Sequence, residues 1–130
     1  MRCAIAHYHE LALKGRNRDY FEQCLIQNIR TALKDLGVRQ VQNLHSRIRI
    51  DLPPEANADV VRDRLVRVCG IANFSLGRVI PLQIANPDLA SLAEAAVEGI
   101  NAASCTTFRV TAKRADKRLV LTSMDIEKAV

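Results

Sequence analysis

An α+β sandwich, with two helices laid on one side of an antiparallel sheet, is the fold class that residues 1–80 predict. Three observations carry it. Apolar residues recur first at every second position and then at every third or fourth, and the two periods alternate along the chain. Each helical run stops at a glycine, Gly37 or Gly70, and the strand-like run before Pro53 is apolar on one side and charged on the other.

Met1 to Tyr8 alternates as a first, central strand, with Cys3, Ile5 and His7 on one side, Ala4 and Ala6 on the other, and burial expected on the Ile5 face. His9 to Arg18 is polar and basic, contains Gly15, and reads as a loop leading into a helix. From Asp19 onward Phe21, Leu25, Ile29, Ala32, Leu33 and Leu36 form one stripe of a long amphipathic helix, with Gly37 as its left-handed cap. Val38 to Leu44 and Ser46 to Leu52 read as short strands around a turn at His45-Ser46, and in the second Ile48, Ile50 and Leu52 alternate with Arg47, Arg49 and Asp51. Pro53-Pro54 forces a loop. A second helix follows, with Val61, Leu65 and Val68 inward and Gly70 as its stop, and Ile71 to Leu82 holds a last strand broken near Gly77. Strand, helix, strand, strand, helix, strand is the split βαβ order of a ferredoxin-like fold.

Residues 81–130 predict a second unit. Asn86-Pro87 opens a helix, Asn as cap and Pro in the first turn, whose inner face carries Leu89, Leu92, Ala93, Ala96, Val97 and Ile100. Thr107 to Ala112 alternates as a strand, a basic loop runs from Lys113 to Arg118, and Thr122-x-x-Asp125 has the form of a capping box opening a last helix. Two helices and one strand cannot close a core of their own, so this part is expected to be an incomplete α/β unit that docks on the first domain or borrows strands from another copy in a homodimer.

Charge narrows the partners. A net charge of +5 and a pI near 9.3 favour polyanions. Residues 1–80 hold 13 Lys and Arg against 8 Asp and Glu; residues 81–130 hold 6 of each, and five of those six cations lie between Arg109 and Arg118, which leaves one basic patch in each half. No stretch approaches the roughly 20 apolar residues of a membrane span, and the N-terminal apolar run is too short for a signal peptide. A cytoplasmic location, away from any membrane, is expected. Cys3, Cys24, Cys69 and Cys105 form no C-x-x-C pair and sit in or beside apolar runs, as buried free thiols do.

Catalytic signatures fail one by one. His9-Glu10 is followed by Leu13 where a zinc protease needs a second His, His7 and His9 have no third ligand nearby, and Lys14-Gly15 reverses the order of a P-loop. No nucleophile elbow or pair of carboxylates in apolar pockets occurs, so no catalytic residue and no resident metal are expected in this chain. The basic residues remain. Lys14, Arg16 and Arg18 stand at the front of a helix, where free backbone N–H groups favour phosphate; Arg109, Lys113, Arg114, Lys117 and Arg118 project from a strand edge and the loop after it. With so few aromatics for base stacking, contact through phosphate and shape is the expected mode of RNA binding.

The block Glu10-Leu11-Ala12-Leu13-Lys14-Gly15-Arg16-Asn17-Arg18, followed by Phe21-Glu22, resembles the opening motif of the tRNA 4-thiouridine synthases, the tRNA sulfurtransferases that also serve thiamine biosynthesis. Gly70-Ile71 with Phe74-Ser75 is similar to the last strand of that family's N-terminal ferredoxin-like domain, and Phe108 to Lys117, with Thr122-Ser123 beyond, resembles the signature of its THUMP domain. Two positions depart from the pattern: His9 replaces a usual Gly, and Leu119-Val120 a usual Phe-Pro. The resemblance implies a tRNA-binding fragment, a ferredoxin-like domain over 1–80 and the start of a THUMP domain over 81–130, which together hold the tRNA acceptor end. It further implies that ATP, a sulfur-donor protein and the catalytic cysteine belong to a C-terminal pyrophosphatase-type domain. Two rivals are a different THUMP enzyme, either a methyltransferase or a pseudouridine synthase, and a ferredoxin-like regulatory or oligomerisation module.

Overall fold

The computed structural model describes residues 2–9, 17–44, 46–102, 105–113 and 118–130, which divide into two compact units, Met1–Val79 and Ile80–Val130. The first unit holds β1 (Arg2–Tyr8), α1 (Arg18–Ala32), β2 (Gln40–Asn43), β3 (Arg47–Leu52), α2 (Ala58–Val66) and β4 (Ile71–Arg78). Its sheet runs β2-β3-β1-β4 with every neighbouring pair antiparallel, which is the ferredoxin-like order.

Register decides which side of the sheet is the core. Ala4 and Ala6 lie opposite Ile50 and Ile48 on β3 and opposite Leu76 and Phe74 on β4, so these side chains share one face. Leu25, Ile29 and Leu33 from the first helical segment and Val61 and Leu65 from α2 close over that face. The core side of β1 is therefore the one bearing Ala4, Ala6 and Tyr8, not the Ile5 side expected from its bulk. Small residues on the central strand leave room for the larger chains of β3 and the helices, and close packing rewards the fit.

Local signals explain most boundaries. The first helix ends at Ala32, and a 3-10 turn over Lys34–Leu36 follows before Gly37 takes up the left-handed conformation at φ 64°. Between β2 and β3, Ser46 carries a positive φ of 74°, in the turn the sequence predicts, while His45 lies outside the described residues. Asn57 caps α2, its side chain accepting from the backbone N–H of Asp59 at 2.9 Å and of Val60 at 3.4 Å. Asn57→Ala is expected to cost about 1 kcal/mol of stability, measurable as a lower urea midpoint with an unchanged slope. That helix ends at Val66, four residues before Gly70, because Arg67 and Val68 turn back onto the carbonyls of Arg64 and Leu65.

The last strand is not broken at Gly77. Gly77 pairs with Cys3, and the irregularity falls at the other end, between His7 and Tyr8. The strand lies within the expected stretch and stops at Arg78, where its pairing with Arg2 at the head of β1 runs out.

The second unit holds α3 (Leu89–Ala102) and α4 (Ser123–Ala129), which pack on each other. Asp88 rather than Asn86 opens α3: its carboxylate accepts from the N–H groups of Ala90 at 3.1 Å and Ser91 at 3.3 Å, out of reach of a side chain two residues earlier. The capping box of α4 is present, with Thr122 Oγ1 accepting from Asp125 N–H and the Asp125 carboxylate accepting from Thr122 N–H at 2.8 Å. Thr107 to Ala112 forms no strand, and Phe108 is largely exposed. Alternation alone makes no ladder, and among the described residues of this unit no strand lies alongside to pair with it.

The cysteines also depart from expectation. Cys3 is buried and Cys24 half-buried, whereas Cys69, in the turn after α2, and Cys105, after α3, are exposed. Burial pushes the Cys3 thiol above its ordinary value, which keeps it protonated.

Candidate nucleic-acid interface

The sequence places its candidate site on two basic segments, and the structure describes part of each. Lys14, Arg16, Arg114 and Lys117 lie outside the described residues; Arg18, Arg109, Lys113 and Arg118 lie within them, all four exposed.

Arg18 opens α1 but is not simply an outstretched cation. Its Nε donates to Glu22 Oε1 at 2.9 Å, one helical turn on. Glu22 is itself buried and collects two further donors, the Tyr8 hydroxyl at 2.6 Å and the Asn43 side-chain amide. The Tyr8 oxygen in turn accepts the Ser46 backbone N–H at 3.1 Å. One carboxylate thus gathers the end of β1, the start of α1, the end of β2 and the turn before β3. Burial by itself would raise the Glu22 carboxyl, but the donors from Tyr8, Arg18 and Asn43 together outweigh it and hold the group below the usual glutamate range. Tyr8 moves the other way: burial, then its bond to the carboxylate, keeps the hydroxyl protonated. A cleft of about 400 Å³ opens beside this cluster, lined by Arg18, Asp19, Glu22 and Asn43.

Periodicity passed over the cluster, although a signal was there. Glu22 falls on the helical stripe of Leu25 and Ile29, and a carboxylate on an apolar stripe demands buried partners.

In the second unit the backbone N–H of Ala112 donates to Glu127 Oε1 at 2.8 Å, which ties the chain just before Lys113 to α4. Arg109 and Lys113 stand exposed on either side of the half-buried Val110 and Ala112. No three His, Cys, Asp or Glu side chains gather into a metal-binding group among the described residues, and no described helix is long and apolar enough to cross a membrane.

A four-stranded split βαβ sheet with two helices on one face defines a ferredoxin-like domain. The sequence profile of the ThiI ferredoxin-like domain matches residues 3–75, and the chain belongs to that family. It is 37% identical over 128 residues to a probable tRNA sulfurtransferase of Brevibacillus brevis, covering 97% of this chain and 31% of the relative. It is also 37% identical over 123 residues to a probable tRNA sulfurtransferase of Thermus thermophilus, covering 95% of this chain and 29% of the relative. Among solved structures it is similar to a 4-thiouridine synthetase in complex with RNA and with bound ATP, at 27% identity and a TM-score of 0.75, over 98% of this chain and 31% of that one. PH1313 from Pyrococcus horikoshii gives a TM-score of 0.70 at 28% identity, over 98% of this chain and 42% of that one. The chain therefore spans about a third of the length of the curated relatives it matches.

Proposed function

We propose that this chain is the tRNA-binding portion of a cytoplasmic tRNA sulfurtransferase, and that it grips the acceptor end while 4-thiouridine is made on another domain. The observation that carries the reading is the likeness, over 98% of the chain, to a 4-thiouridine synthetase solved with RNA. The exposed Arg109 and Lys113 support it, since cations with their heads in water meet phosphates at little desolvation cost. In this reading residues 81–130 contribute to a THUMP domain. ATP, the sulfur donor and any role in thiamine synthesis belong to parts of the relatives beyond this span. The RNA is positioned here through its backbone, and the rate comes from holding one uridine at a remote site.

The test is a filter-binding titration of this chain with a tRNA acceptor-stem minihelix at several salt concentrations. Replacing Lys113, Arg114, Lys117 and Arg118 together by Gln is expected to weaken binding at least about tenfold and to reduce the log–log salt slope by up to about 3.6, since each phosphate contact contributes roughly 0.9. Unchanged affinity and slope would remove the loop from the interface. A parent chain that ignores the RNA yet self-associates in light scattering would favour an oligomerisation module instead.

A further inference from the structure

A further basic surface is built from residues outside both segments that the sequence singles out. Between the end of α1 and the edge strand β2 runs a groove of about 360 Å³, rimmed by Arg30, Lys34, Arg39 and Gln40 and floored by Leu33 and Val41. The three cations are exposed while Leu33 and Val41 are buried, so the groove has a charged lip over an apolar base.

These cations are not neutralised by a carboxylate among the described residues. In the same unit Arg18, Arg49, Arg62, Arg64 and Arg67 each rest on a carboxylate. The acid next to Lys34 in sequence, Asp35, is taken by Arg64, whose Nη2 reaches Asp35 Oδ2 at 2.7 Å and whose Nη1 also donates to the Ala32 carbonyl at 3.0 Å. Three like charges around one groove repel one another until an anion is shared between them.

We infer that this groove binds the phosphodiester backbone of RNA, as a contact separate from the Lys113–Arg118 loop. The inference rests on the tRNA-binding reading above and adds a site to it. The lining matches a sugar-phosphate rail: cations and the Gln40 amide for the phosphate oxygens, and the half-buried Val38 for the sugar carbons. An acidic protein strand laid along β2 fits less well, because β2 has only four residues and its last, Asn43, is already engaged with Glu22.

The experiment compares the parent chain with an Arg30→Gln, Lys34→Gln, Arg39→Gln variant against the same minihelix, with thermal melts followed by circular dichroism for both. The expected result is an affinity about fivefold lower and a salt slope smaller by up to about 2.7, in proportion to the phosphates released, with the melts nearly superposed because all three side chains face solvent. An Arg30→Lys, Arg39→Lys variant, which keeps the charges, should bind within about twofold of the parent. If the triple variant binds RNA with the parent's affinity and slope, the groove is not a contact and the tRNA-binding reading survives. If the parent itself fails to bind RNA, both fall. Weaker binding without a change of slope, or parent binding to a polyglutamate peptide that RNA does not displace, would also overturn the groove as an RNA site.

Discussion

Glu22→Ala is expected to lower the unfolding free energy by about 2 kcal/mol, because the substitution strands the buried Tyr8 hydroxyl, whereas the exposed Asn43 can turn to water. The Tyr8 hydroxyl loses its acceptor at 2.6 Å and the Asn43 amide loses its own, in a place where Glu22 is only 8% exposed. Arg18 loses least, since its side chain is 45% exposed and an open ion pair contributes little. Glu22→Gln separates charge from shape. Its carboxamide presents an N–H₂ group to donors and should cost about 2 kcal/mol at neutral pH. The sign with pH follows from the depressed carboxyl. In the unfolded chain a glutamate titrates near about 4.3, and the folded value lies lower, so the contribution is complete above the unfolded value and disappears as pH falls through the folded one. Urea melts of the parent and of Glu22→Gln should therefore converge in acid; a gap that stays constant down to the acid limb would show that the carboxylate's charge has no part in it.

Leu25→Ala has the largest expected effect on stability, about 3 kcal/mol, through the transfer loss and the cavity that large-to-small core changes leave. Leu25 is 2% exposed, and its Cδ1 stands 3.3 Å from where a β-carbon on Gly70 would lie; Phe21 Cζ is nearer still, at 3.2 Å. Gly70 also sits at φ +101°, which side chains on L residues rarely adopt. Gly70→Ala should thus lose about 2 kcal/mol from two sources, backbone strain and crowding. Combining the two substitutions separates them. In the Leu25→Ala background the crowding from Leu25 is relieved while the strain remains, so the double variant should fall short of the sum of the singles by about 0.5–1 kcal/mol. Strict additivity in chemical denaturation would show that crowding from Leu25 has no part in the penalty, leaving backbone strain and Phe21 as its sources.

Much of the first unit and the start of the last helix could be read before the structure, and the reasons are local. Gly37, the Ile48-Ile50-Leu52 alternation and the Thr122 capping box each express a rule confined to a few residues, and each is found where those rules place it. Errors came where the deciding partner was distant in sequence. The buried side of β1 depends on the bulk that Ile48 and Ile50 bring from across the sheet, which Ala4 and Ala6 do not reveal. Thr107 to Ala112 has strand periodicity but no neighbour in its unit to pair with among the described residues. The site was legible as composition and only partly as geometry. Arg18 was singled out as a free cation for RNA, yet whether it can serve depends on Glu22, Tyr8 and Asn43, brought to it by three different elements. Arg30, Lys34 and Arg39 went unnoticed because the 3-10 turn and Gly37 interrupt their spacing, and only the fold sets them around one groove.

The strand order carries a consequence for how the molecule assembles. β1 is synthesised before the other strands of its sheet but pairs with β3, which begins at Arg47, and with β4, which begins at Ile71. The hairpin of β2 and β3 can close within a dozen residues, at small entropic expense, whereas the central strand must wait unpaired until most of the domain has been synthesised. In the interval its ladder groups are available to any other extended chain. Nascent molecules crowded on one message are therefore most vulnerable to mispairing through the segment that ends up best protected.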